Sequence, residues 1–292
     1  MSGALLAGAS GVGFGAFQVV NVQAMRGGAN PFASMFAQVA IAAGLLVAVT
    51  LANGDLIAAA DAPLWAFRDF AIAGLLHFLG GWSLLNLSQQ RIGAARTSPL
   101  LTTTPVFGVV LALVTVGQRP SALELAAIGL ICSGAYVVAA RGAIQRTRVV
   151  DALPAVGCAF MWALSPIFIV DGLDGFDSAL AGLTVALVVC LVACAAVFAV
   201  GRGGALSWGA VAGAGAQMKV LAGLLVALAT WWRWAALGDA DVGVVLALAL
   251  LSVPVVLCLA PLIAGREAER VTAALWIGAS LVVSGALVLV VA

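Results

Sequence analysis

A chain of 292 residues that is 64% hydrophobic and only 9% charged cannot cover a water-facing surface, because a soluble domain carries about 25% charged residues. A formal net charge of +1 leaves no basic field to attract nucleic acid. The composition fits a chain whose main solvent is lipid.

A bilayer core about 30 Å thick needs about 20 apolar residues per helix. In chain order, runs of that kind fall at 3–23, 32–52, 66–88, 94–116, 121–140, 151–170, 178–200, 211–237, 242–263 and 271–291. Short polar or Gly-rich breaks separate them, among them Arg26-Gly27-Gly28, Asn53-Gly54-Asp55, Gln118-Arg119-Pro120 and Gly201-Arg202-Gly203-Gly204. The first run is not preceded by Lys or Arg, so it reads as a span and not as a cleaved signal. Cys132, Cys158, Cys190, Cys194 and Cys258 all lie in apolar runs. With no His or carboxylate nearby to complete a metal site, they read as small buried hydrophobes, and no metal or other cofactor is expected.

The chain repeats itself at an offset of 149 residues. Gly8 recurs as Gly157, Ala73-Gly74-Leu75-Leu76 as Ala222-Gly223-Leu224-Leu225, Trp82 as Trp231, Pro105-Val106 as Pro254-Val255, and Ile128-Gly129 as Ile277-Gly278. A Trp and a Pro on one shared offset mark two related halves, 1–145 and 146–292. Each half holds five spans. Five is odd, so the second half enters the membrane inverted. The expected fold is therefore an all-α integral membrane protein of ten transmembrane helices in two inverted five-helix repeats. Inverted repeats allow alternating access, since the halves can exchange conformations and open a central site to opposite sides.

Cations in the breaks set the orientation. One side collects Arg26, Arg91, Arg96, Arg141, Arg146, Arg148, Arg202, Lys219, Arg266 and Arg270; the other holds Arg68, Arg119 and Arg233. The richer side is expected to face the cytoplasm of an inner (plasma) membrane, with both termini outside.

Thr104-Pro105-Val106-Phe107 followed by Gly117-Gln118-Arg119 and Gly129, then Pro254-Val255, Gly265-Arg266-Glu267 and Gly278, together with Cys158-Ala159-Phe160-Met161-Trp162-Ala163, resemble the EamA family of the drug/metabolite transporter superfamily. Gln118 stands where that family usually has Glu. Within the family the chain is similar to amino-acid exporters of the YddG type. The resemblance implies a cavity between the halves, lined by the first, third, fourth, sixth, eighth and ninth spans. It also implies export of small metabolites, most of all neutral or aromatic amino acids, with no enzymatic activity and no cofactor. The alternative cargo is a small organic cation or drug-like compound. The partners expected are the cargo and the lipid bilayer, and a ten-helix chain can act as a monomer.

Polar groups within a span are costly unless they face a cavity or a partner, so they are the candidates for the site. Gln18 can bind a carboxylate or an ammonium. Thr102, Thr103 and Thr104 precede Pro105, which frees the carbonyl of Leu101; the threonines can satisfy that carbonyl or line a bend. Pro105 and Pro254 are the expected bends, with Ser252 at the equivalent place in the second half. Arg233, among Trp231, Trp232 and Trp234, can bind a substrate carboxylate, or else snorkel to an interface beside Asp239. Trp82 and Trp231 are either cavity aromatics or interface anchors. His77 can contact substrate, carry a proton or bond a neighbouring helix. Its candidacy, like that of Trp162, leans on the YddG-type resemblance. Because Trp162 aligns with Gly13, an asymmetric pocket is expected. Trp82, Asn86 and Gln89 share one face of the third span and His77 lies on another, so both faces cannot meet one cavity squarely. No Asp or Glu lies mid-span to relay protons, which favours diffusion down a gradient.

Overall fold

A computed structural model describes residues 3–25, 30–55, 62–116, 121–141, 149–200, 215–240, 242–263, 265 and 271–291. The loop residues Arg26, Arg119, Arg146, Arg148, Arg202, Arg266, Glu267 and Arg270, on which much of the orientation and part of the motif rest, lie outside them. Among the described residues the chain is all-helical. The helices are α1 (Gly3–Ala24), α2 (Pro31–Asn53), α3 (Leu64–Gly74), a π-helical segment (Leu75–Trp82), α4 (Ser83–Ile92), α5 (Ala94–Leu101), α6 (Thr104–Val116) and α7 (Ala122–Arg141). The second half follows as a short 3-10 turn (Val149–Ala152), α8 (Leu153–Gly175), α9 (Ala179–Val200), α10 (Ala216–Asp239), α11 (Val242–Leu248), a 3-10 turn (Ala249–Leu251), α12 (Ser252–Ile263) and α13 (Ala273–Val291).

Six of these rods are long and apolar enough to cross a membrane: α1, α2, the α3–π–α4 rod, α8 with its leading turn, α9 and α10. Shorter apolar stretches follow at Leu125–Gly134, Ala249–Ile263 and Ala273–Gly285. The run 94–116 is divided because the helix stops at Leu101 and restarts at Thr104, just ahead of Pro105. The run 242–263 is interrupted in the same way by the turn at Ala249–Leu251, ahead of Pro254. About half of each long rod is buried against other helices. The outward remainder is apolar, with Leu5, Leu51, Val114, Val192 and Leu262 exposed, as expected of helices apolar all round and solvated by lipid.

The packing is reciprocal between the halves. α1 lies along α10, and α8 lies along the α3–π–α4 rod; α2 packs on α10, and α9 on α3. α7 packs on α13, where Gly134 comes so close to the Gly278 carbonyl that a methyl group would collide.

An amide cluster joins three helices of the first half. The Asn21 side-chain nitrogen donates to Asn86 Oδ1 at 2.6 Å and to Gln89 Oε1 at 2.7 Å. Gln38 Nε2 donates to Asn21 Oδ1, and Asn86 Nδ2 to the Pro31 carbonyl at 3.1 Å. Gln38 thus bonds across from α2 to α1. Asn21 uses both its protons and its oxygen, so Asn21→Leu strands three buried partners. At roughly 0.6–2 kcal/mol per such bond inside a membrane protein, the variant is expected to lose about 2–4 kcal/mol, read as a lower thermal midpoint in detergent.

Candidate functional site

The two breaks face each other across a cavity. Thr102, Thr104 and Pro105 at the α5–α6 break and Ala249, Leu250 and Ser252 at the α11–α12 break line it, joined by Phe14 and Gln18 of α1, Ser98 and Leu101 of α5, Trp162 of α8, Arg233 of α10 and Leu246 of α11. Broken helices are tolerated at membrane depth where the freed backbone is buried in protein or lines a cavity. Here hydroxyls take up the freed carbonyls: Thr103 Oγ1 donates to Leu100 O at 2.9 Å and Thr104 Oγ1 to Leu101 O at 2.6 Å. The threonines thus satisfy the backbone and shape the site together. The cavity measures about 40 Å³, room for on the order of three waters.

Among the described residues Arg233 is the one charged group on the lining, and it is 4% exposed. It makes no hydrogen bond or ion pair with any described residue, and the ion pair found among them is Arg68 with Asp69, at 2.9 Å. Asp239 sits exposed at the end of α10, so the snorkelling arrangement is not formed. Ser98 Oγ, on a residue only 1% exposed, also has no partner among the described residues. Gln18 Oε1 faces Gln89 Nε2 at 3.5 Å, which ties the cavity to the amide cluster.

Trp162 presents its ring to the cavity and is held from three sides. Phe14 meets it edge-on at 5.5 Å, the His77 ring stacks on it at 5.4 Å with a 16° tilt, and its Nε1 donates to the His77 carbonyl at 3.2 Å. Gly81 makes this fit possible, because a Cβ there would overlap the indole nitrogen. His77 lies behind Trp162 and off the lining, its Nδ1 at 3.0 Å from Ser165 Oγ and its Nε2 without a partner among the described residues. His77→Phe keeps the stack and is expected to change substrate affinity no more than a few-fold, whereas His77→Ala frees the indole and is expected to weaken it about 10-fold, near 1.4 kcal/mol, by titration calorimetry.

The structure thus brings Gln18, Thr102, Pro105, Trp162 and Arg233 to one cavity. Trp82 does not reach it: fully buried, it packs on Phe17 at 6.1 Å and Phe78 at 4.7 Å. Trp231 is half-buried and Pro254 lies two residues after Ser252, in the first turn of α12; neither is on the lining. The sequence reading missed Phe14, Ser98, Leu101, Leu246, Ala249 and Leu250. Only Ser98, a polar residue inside an apolar run, carried a signal that could have found it.

Sequence comparison bears on the half that carries the first of these breaks. Residues 1–140 match the EamA-like transporter family. The match takes in the half from α1 into α7, supports the drug/metabolite transporter superfamily, and points to a multi-pass membrane transporter of small solutes and not to an enzyme. No curated protein matches the chain. Eighteen chains of solved structures do. One, a crystal structure described without organism or activity, is 19% identical and aligns over 96% of this chain and 95% of its own with a TM-score of 0.65. The likeness shows a shared fold along the whole length, second half included.

Proposed function

We propose that the protein exports small metabolites that carry a carboxylate on an apolar or aromatic body, by alternating access through the cavity between two inverted five-helix repeats. The neutral and aromatic amino acids suggested by the YddG-type resemblance are the first such compounds to test. One observation carries the reading: Arg233 is buried, opens on the cavity beside Gln18 and Trp162, and has no acidic partner there. A guanidinium is well shaped for a carboxylate, and Trp162, Phe14 and the leucines supply the apolar wall. The same observation weighs against an organic cation, which Arg233 would repel.

Ten spans, an inner membrane and termini outside complete the proposal. The reciprocal packing of α1 on α10 and of α8 on the α3–π–α4 rod supports the repeat, as does the pairing of the breaks before Pro105 and Pro254. The cavity is small, about 40 Å³, and the alternating-access reading has the halves part to admit cargo. A thermal-shift screen of the purified chain against amino acids, other carboxylates and amines tests the reading, with liposome flux for each hit, because a ligand of the folded state raises its apparent stability. Stabilisation by quaternary amines alone would replace the carboxylate reading with the cation one.

A further inference from the structure

Resting on the carboxylate reading, we infer that the cargo is a net organic monoanion and not a zwitterion, and that it is carried as a uniport driven by the membrane potential. The cavity offers hydrogen-bond donors around one positive charge. Arg233 supplies the charge; Ser98 Oγ is buried on the same lining with no partner among the described residues. Gln18, also on the lining, meets Gln89 Nε2 with its oxygen, a contact that does not use its own NH2 protons. An anion satisfies all three groups. The α-ammonium of an amino acid would have hydroxyl and amide oxygens to donate to, but among the described residues no acidic side chain lines the cavity to offset its charge. Arg233 therefore repels it, and a monoanion avoids that opposition.

The charge count sets the energetics. One cycle moves one negative charge across the membrane, while the guanidinium stays with the protein. An inside-negative potential of 100 mV shifts a monovalent anion outward by about 2.3 kcal/mol, roughly 50-fold at equilibrium. Export then needs no proton-coupling carboxylate, and among the described residues none lines the site.

The test uses proteoliposomes of the full chain, with potentials of either sign set by potassium and valinomycin, and three probes of one skeleton: phenylpyruvate (anion), phenylalanine (zwitterion) and phenethylamine (cation). Phenylpyruvate is expected to move toward the positive side, to reverse with the sign of the potential, and to lose at least 100-fold of its flux in Arg233→Gln that is still folded by circular dichroism. Arg233→Lys, which keeps the charge, is expected to recover part of it. Flux of phenylalanine in preference to phenylpyruvate overturns the monoanion and leaves the carboxylate transporter standing. Phenylpyruvate flux indifferent to the potential overturns the uniport. Flux of phenethylamine alone, or no Arg233-dependent flux of any carboxylate, overturns the carboxylate reading as well.

Discussion

Arg233→Gln is expected to abolish carboxylate binding while making the empty protein more stable. Hydrogen bonds from a charged donor contribute about 1.5–3 kcal/mol, so losing the guanidinium is expected to weaken binding roughly 100-fold. Stability moves the other way because the charge is nearly fully buried and pairs with no described residue. An Arg costs about 2.5–3.5 kcal/mol at the centre of a membrane helix on the mildest scale and less toward its ends; Arg233, in the last third of α10, carries part of that cost. Glutamine removes that cost and keeps an amide donor. Thermal unfolding without ligand is therefore expected to shift upward by a few degrees, and calorimetry to show the lost affinity. A residue that held the fold together would do the opposite, so a lower midpoint in Arg233→Gln would reassign Arg233 to structure.

Trp162→Ala is expected to be the most damaging of the aromatic substitutions. The indole is a wall of the cavity and the surface on which Phe14 and His77 rest. Truncating a buried Trp costs about 3–5 kcal/mol, and aromatic pairs add about 0.5–1.5 kcal/mol beyond burial. The variant is expected to insert in the membrane with a lowered thermal midpoint and to lose flux at least 10-fold. Trp162→Phe, which keeps a ring against His77 but not the bond to its carbonyl, is expected to regain most of the stability. Unchanged flux in both Trp162→Ala and His77→Ala would remove the pair from the site.

Membrane residence was legible from composition, and so were the helix positions, because a 20-residue apolar run has few other meanings. The site was legible where chemistry is conspicuous against a lipid-like background. Gln18, Thr102 and Arg233 are polar where polarity is costly, and Pro105 interrupts a helix. Phe14, Leu101, Leu246 and Leu250 were not legible, because a helix apolar on every side gives no periodicity to separate a cavity face from a lipid face. Asn21, Gln38, Asn86 and Gln89 were each visible as buried amides, yet their convergence on Asn21 depends on how α1, α2 and α4 cross. The breaks at Thr102–Thr103 and Ala249–Leu251 follow from the prolines only once one knows that they face each other. His77 and Trp82 were read onto different faces of the third span, and they meet different neighbours, Trp162 and Phe17. The segment that carries them, Leu75–Trp82, is π-helical and wider than an α-helix.

That wider coil stores slack in the third rod. A π turn takes about one residue more than an α turn. Tightening one such turn would swivel everything beyond it by roughly 100°, the step of one α-helical residue, while nearly every backbone bond finds a new mate. Upstream of the coil, Phe70 is locked between Gly172 and Gly182; downstream, Asn86 and Gln89 clasp Asn21. The rod is thus held at both ends, by Phe70 between two glycines and by the amides on Asn21, and the wider coil between them runs beside Trp162.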